Sequence, residues 1–101
     1  PFRVLRNDSL VQAVQSADKK LLQAVFYPGN NGLQAGGVSL TASEPCTVMI
    51  KTVAGKSVFT VTDACMNAAL KKITLTYNGE TIEVPMPQGE FCGRTVSYEL
   101  P

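Results

Sequence analysis

Residues 46 to 63 alternate in polarity, and the alternation leaves one acceptable way to fold that stretch back on itself. With a two-residue turn centred on Ala54 and Gly55, Ile50 falls opposite Phe59 and Val48 opposite Val61, which makes one face wholly apolar. The other face then carries Thr47, Met49 and Lys51 against Thr62, Thr60 and Val58, the mixture expected where an antiparallel sheet meets water on one side. A three-residue loop ending in Gly55 would set Val48 against Thr60 and spoil both faces, so that register is rejected. A second hairpin is marked by Asn78-Gly79, the preferred pair for a type I′ turn. It places Tyr77 opposite Glu80, Leu75 opposite Ile82 and Ile73 opposite Val84, with Lys72, Thr74, Thr76, Thr81 and Glu83 on the other side. Two such ribbons with apolar faces call for a partner layer.

The remaining segments fit the same class. Phe2 to Arg6 reads as a short strand ended by Asn7-Asp8-Ser9, and Leu10 to Gln15 as a second with Val11, Ala13 and Val14 turned inward. A helix over residues 10 to 24 is the competitor, since Leu10, Val14, Ala17, Leu21 and Ala24 form a helical stripe. Strands are preferred because Ser16-Ala17-Asp18-Lys19 resembles a turn. Leu21 to Tyr27 is a third strand stopped by Pro28, and Pro28 to Gly37 reads as the longest loop, with four glycines and two asparagines. Val38 to Ala42 follows, then the turn Ser43-Glu44-Pro45. After the first hairpin, residues 64–69 lack alternation and suit an irregular or helical turn. After the second, Pro85 to Glu90 breaks the sheet, Phe91 plugs an edge of the core, and Arg94 to Leu100 is the last strand. About nine short strands punctuated roughly every 8 to 12 residues predict an all-β, antiparallel two-sheet β-sandwich.

Bulk properties narrow the function classes. A chain of 101 residues suits one domain spanning 1–101, with roughly 65% of its unfolded surface buried. It reads as a piece excised from a longer protein, with no signal peptide of its own. Nine basic and eight acidic side chains leave a net charge of +1, and the only basic pairs, Lys19-Lys20 and Lys71-Lys72, read as solvated strand ends. Nucleic acid is therefore not an expected partner. No apolar run approaches the ~20 residues of a membrane span.

Histidine is absent, which removes imidazole bases, His-activated nucleophiles and His metal ligands together. The three cysteines, Cys46, Cys65 and Cys92, lack zinc-site spacing, so neither a metal nor another cofactor is expected. Cys46 would lie opposite Asp63; a Cys46–Cys65 bridge and three reduced thiols are both compatible with the sequence. Asp63, at a strand end, is suited to capping the next loop, and Thr74 with Glu83 are surface neighbours. Sugar-binding modules stack rings on exposed aromatics, yet Trp is missing and Tyr77 faces the core in the register above. Tyr27 beside the glycine-rich loop is then the candidate platform, with Asn30 and Asn31 as glycan contacts.

Several short motifs occur in a telling order: Val4-Leu5-Arg6-Asn7-Asp8, Val11-Gln12-Ala13-Val14, Ala24-Val25-Phe26-Tyr27, then Ala42 through Met49, then Val61-Thr62-Asp63. In that order the chain resembles the C-terminal domain of polysaccharide lyase family 8, the hyaluronate, chondroitin and xanthan lyases, over essentially its whole length. Family members usually carry Pro-Thr after the aspartate matching Asp63, where this chain has Ala64-Cys65. The resemblance implies a small sandwich trailing an α-helical toroid and a central β-sandwich domain, the latter its packing partner within the parent chain. It implies β-elimination of glycosaminoglycans by an Asn, His, Tyr and Arg set located in the toroid, none of which maps onto this chain. It further implies a secreted or periplasmic parent, and a non-catalytic accessory role here. The alternatives are a carbohydrate-binding module that contacts polysaccharide through Tyr27 and the 29–36 loop, and a plain adhesion or scaffold sandwich.

Overall fold

Alternating side chains in ten short segments produce two antiparallel sheets whose apolar faces meet, as seen in a computed structural model that describes residues 2–62, 72–86 and 95–100. The strands are β1 (Phe2–Asn7), β2 (Val11–Ser16), β3 (Leu21–Phe26), β4 (Leu33–Ala35), β5 (Val38–Ala42), β6 (Cys46–Val53), β7 (Lys56–Thr62), β8 (Lys72–Tyr77), β9 (Glu80–Pro85) and β10 (Thr95–Leu100). A six-stranded sheet runs β1-β2-β3-β6-β7-β10 and a four-stranded sheet β4-β5-β8-β9. No helix occurs among the described residues.

Both hairpin registers follow the sequence pattern. Ile50 pairs with Phe59 and Val48 with Val61 across β6 and β7, while Leu75 pairs with Ile82 and Ile73 with Val84 across β8 and β9. All eight of these side chains are buried. Tyr77 packs against the core, meeting Phe59 edge-on with ring centroids 5.6 Å apart. The central residues of both turns have positive φ, Ala54 (52°) with Gly55 (78°) and Asn78 (48°) with Gly79 (90°), as a type I′ turn requires.

Three expectations are corrected. The segment from Pro28 to Gly37 is not one loop: it contains β4, which pairs Leu33 with Leu40 and Ala35 with Val38 around a Gly36-Gly37 turn. Leu33 is fully buried, and that burial outweighs the turn-rich composition around it. Secondly, β2 buries Val11, Ala13 and Gln15, whereas Val14 lies half-buried on the opposite face. Strand alternation forces this choice, and Gln15 is tolerated because its Oε1 accepts a hydrogen bond from Arg3 Nη2 at 2.9 Å. Thirdly, β3 stops at Phe26, one residue short of Tyr27, although the Tyr27 N–H still donates to the Leu10 carbonyl at 2.9 Å. Residues 64–69 and Phe91 lie outside the described residues, as do Asp63, Cys65 and Cys92. Cys46 is buried in the core.

Edge strand β1 is irregular. Its register to β2 shifts between Val4 and Arg6, so that Leu5 is an extra residue in a bulge. Leu5 packs on the core, and Arg6 Nη1 reaches the Gly32 carbonyl beside β4 at 2.9 Å. The bulge therefore ties the edge of one sheet to the other.

Candidate functional site

The outward face of the six-stranded sheet can be laid out row by row from its pairings. One row holds Val4, Val14, Gln23, Met49 and Thr60, and the next holds Asn7, Gln12, Val25, Thr47 and Thr62. At one end of the sheet a further row runs from Phe2 and Ser16 to Leu21, Lys51 and Val58. Polar and apolar groups mix throughout, yet Phe2 is 58% and Val4 67% exposed. Val4, Asn7, Gln12, Val14, Gln23 and Val25 surround an open depression of about 380 Å³ on this face. That volume is within the range of small-ligand clefts.

At the opposite end, Tyr27 follows the last residue of β3. It is half-buried, and its phenol donates to Gln12 Oε1 at 3.0 Å while Gln12 Nε2 donates to Asn7 Oδ1 at 3.2 Å. Asn30 closes the following turn: its Nδ2 donates to the Tyr27 carbonyl at 2.6 Å and its Oδ1 accepts from the Gly32 N–H at 2.9 Å. The structure thus brings Tyr27 and Asn30 together through one carbonyl, and leaves Asn31 exposed on the same turn. Gly29 and Gly32, with φ of 86° and 88°, supply the backbone reversal. A Cβ on Gly32 would come within 2.8 Å of Thr41 Cγ2 and 3.0 Å of the Leu40 carbonyl.

Asp8 organises the adjacent turn between β1 and β2. Its Oδ1 accepts from the N–H groups of Leu10 and Val11, each at 2.8 Å, and its Oδ2 accepts from Arg6 Nε at 2.6 Å. The Arg6 hydrogen bond, followed by the Val11 and Leu10 amides, holds its carboxyl down to about 2. Asp18 plays the same part in the turn between β2 and β3. Ser16 Oγ (2.6 Å) and the Lys20 N–H (3.0 Å) both donate to it, which lowers its pKa.

Around Asp18 the cations differ from those at the Tyr27 end. Lys19, Lys20 and Lys51 are exposed, and none of the three ammonium groups forms an ion pair with a described residue. The segments carrying them are joined, because the Thr52 N–H donates to the Lys20 carbonyl at 2.8 Å and Leu21 of β3 pairs with Lys51 of β6. Lys56 nearby pairs with Glu99 at 3.6 Å. Lys19-Lys20 is a solvated pair at a strand end, as expected, and Lys51 extends it into a group. Lys51 joins it only through the β3–β6 pairing, which no local pattern encodes.

Among the described residues no three Cys, Asp or Glu side chains converge, and Glu83, opposite Thr74, pairs with Lys72 at 3.0 Å on the surface. Residues 3–72 match the model of the polysaccharide lyase family 8 C-terminal β-sandwich domain. The chain belongs to polysaccharide lyase family 8, as its C-terminal β-sandwich domain. Chondroitinase-AC of Pedobacter heparinus is 33% identical to this domain over 96% of the chain, which spans 14% of that enzyme. A chondroitinase AC lyase solved in enzyme–oligosaccharide complexes superposes with a TM-score of 0.81 at 31% identity, covering 97% of this domain and 15% of the lyase chain. The family resemblance in the sequence motifs and the all-β sandwich are both borne out.

Proposed function

We propose that this chain is a non-catalytic accessory domain of a polysaccharide lyase that cleaves chondroitin sulfate or hyaluronan by β-elimination, with the chemistry in upstream domains. The observation that carries the reading is the near-complete alignment of the domain with a small fraction of a chondroitinase. The lack of histidine, and of convergent acids among the described residues, supports it from the chemical side. The partner is a central β-sandwich domain of the same parent chain, and exposed Val4 on the six-stranded face offers apolar area for that packing. The parent works outside the cytoplasm, secreted or periplasmic, where a polymer too large to cross a membrane is met. Incubated alone with chondroitin or hyaluronan, the 101-residue chain should produce no rise in unsaturated-uronide absorbance. Turnover by the chain alone would overturn the accessory role.

A second reading, carbohydrate binding through Tyr27, Asn30 and Asn31, is favoured by the pre-organised turn that holds the Tyr27 ring half-buried beside an exposed amide. Titration with chondroitin sulfate oligosaccharides should then perturb residues 29–36, and Tyr27→Ala should abolish the effect. Unchanged binding in that variant would remove this reading.

A further inference from the structure

We propose that Lys19, Lys20 and Lys51 form a docking site for a sulfated, uronate-bearing polysaccharide at the end of the six-stranded sheet remote from Tyr27. The identity of the polymer rests on the lyase reading above; the site itself rests on charge and placement. Lys19 and Lys20 sit on the turn between β2 and β3 and Lys51 near the end of β6, held together by the Thr52–Lys20 backbone hydrogen bond, and none of the three forms an ion pair with a described residue. The acids at this end compensate them only in part: the Asp18 carboxylate accepts from Ser16 and the Lys20 N–H and is drawn to the Lys20 charge, Glu99 is taken by Lys56, and Lys19 and Lys51 have no ion-pair partner among the described residues. Among these described side chains the four lysines Lys19, Lys20, Lys51 and Lys56 outnumber the acids Asp18 and Glu99 by two.

Backbone strain points the same way. Lys19 has φ of 63°, a conformation that Gly or Asn adopts at lower cost than a side chain with a full Cβ. Leu21 lies beside Lys51, and the same row of the sheet ends at Phe2, largely exposed on the edge strand β1. Alternating anionic groups and apolar ring faces are the two surfaces a glycosaminoglycan presents, and lysine with an aromatic answers both. A neighbouring protein domain is a poorer occupant at this end, since covering three ammonium groups requires matching acids or a desolvation cost. In a lyase, even a weak site of this kind raises the local concentration of polymer near the catalytic domains.

The test is amide-resolved NMR titration of the 101-residue chain with chondroitin sulfate, hyaluronan and neutral dextran oligosaccharides of equal length, at two salt concentrations. Shifts should centre on Lys19, Lys20, Lys51 and Thr52, rank chondroitin sulfate above hyaluronan, be absent with dextran, and weaken as salt rises. The triple variant K19E/K20E/K51E should lose at least about tenfold in affinity, with K19Q/K20Q/K51Q in between and as a fallback if the reversal misfolds. Equal binding to dextran, unchanged affinity in both triple variants, or shifts confined to residues 27–31 would each overturn the proposal. Placed in the parent lyase, the same triple variant separates the two readings. A parent that cleaves polymer equally well with and without the three lysines sinks the docking site alone, whereas a wild-type parent with no lyase activity sinks the lyase reading.

Discussion

The two ends of the six-stranded sheet are built from similar tight turns but use their polar residues in opposite ways. At the Tyr27 end the side chains of Arg6, Asp8, Gln12, Tyr27 and Asn30 all bond to neighbouring loop or strand-end groups, and the left-handed positions are filled by Gly29 and Gly32. At the Lys51 end the left-handed positions fall to Lys19 and Ala54 as well as Gly55, and three cations have no partner among the described residues. One end is optimised for holding the loops; the other keeps charge in water at some cost in backbone energy. The contrast teaches that a site can be recognised by polar groups a fold leaves idle, more than by groups it crowds together.

Substitutions that treat the two ends alike should therefore give unlike results. The largest effect is expected for Gly32→Ala, which adds a Cβ within 2.8 Å of Thr41 Cγ2 at a φ of 88°. It should cost about 2 to 4 kcal/mol in urea denaturation, from strain and overlap combined. Asn30→Ala removes both turn-closing hydrogen bonds and should cost about 1 to 2 kcal/mol by the same measurement. Lys19→Gly, at the other end, should change sign: relief of the left-handed strain exceeds the entropy cost of glycine, for a gain of about 0.5 to 1 kcal/mol. A loss of stability in Lys19→Gly would break the comparison at its open end.

The smallest effect is in pH dependence, and there the two ends should agree. Asp8 and Asp18 have carboxyls held below their ordinary 3.8, Asp8 at about 2. Groups lowered in the folded state contribute stability above the unfolded pKa and lose it as pH falls through the folded value. Thermal melts of the wild-type chain should drop between about pH 4 and pH 2, and Asp8→Asn should flatten that drop. Because both carboxyls are exposed, solvent screening keeps the change small. Identical profiles for Asp8→Asn and wild type would remove Asp8 from the account.

Local signals carried the architecture. The Ala54-Gly55 and Asn78-Gly79 turns pin register through residues that are neighbours in the chain, so alternation alone assigned Phe59, Val61, Leu75 and Ile82 to the core. Strand β4 escaped because glycine and asparagine dominate its surroundings, although Gly36-Gly37 is itself a two-residue hairpin signal. Val14 was expected inward on hydrophobicity, and the period of two overruled it in favour of Gln15. Strand order is a different matter. The β3–β6 and β7–β10 pairings join segments separated by other strands, so nothing in a local window specifies them. The candidate residues divide in the same way: Tyr27 and Asn30 are three apart in sequence and visible together, whereas the lysine group needs the non-local pairing of Leu21 with Lys51.

The bulge at Leu5 reaches beyond the packing it provides. A straight β1 would present an unpaired rim of amides and carbonyls along the outermost strand, and any extended segment could lengthen the sheet there. By inserting one residue, the chain distorts that rim and swings Arg6 across to the second layer, so the strand is pinned as well as bent. The molecule thereby guards its own border against recruiting copies of itself.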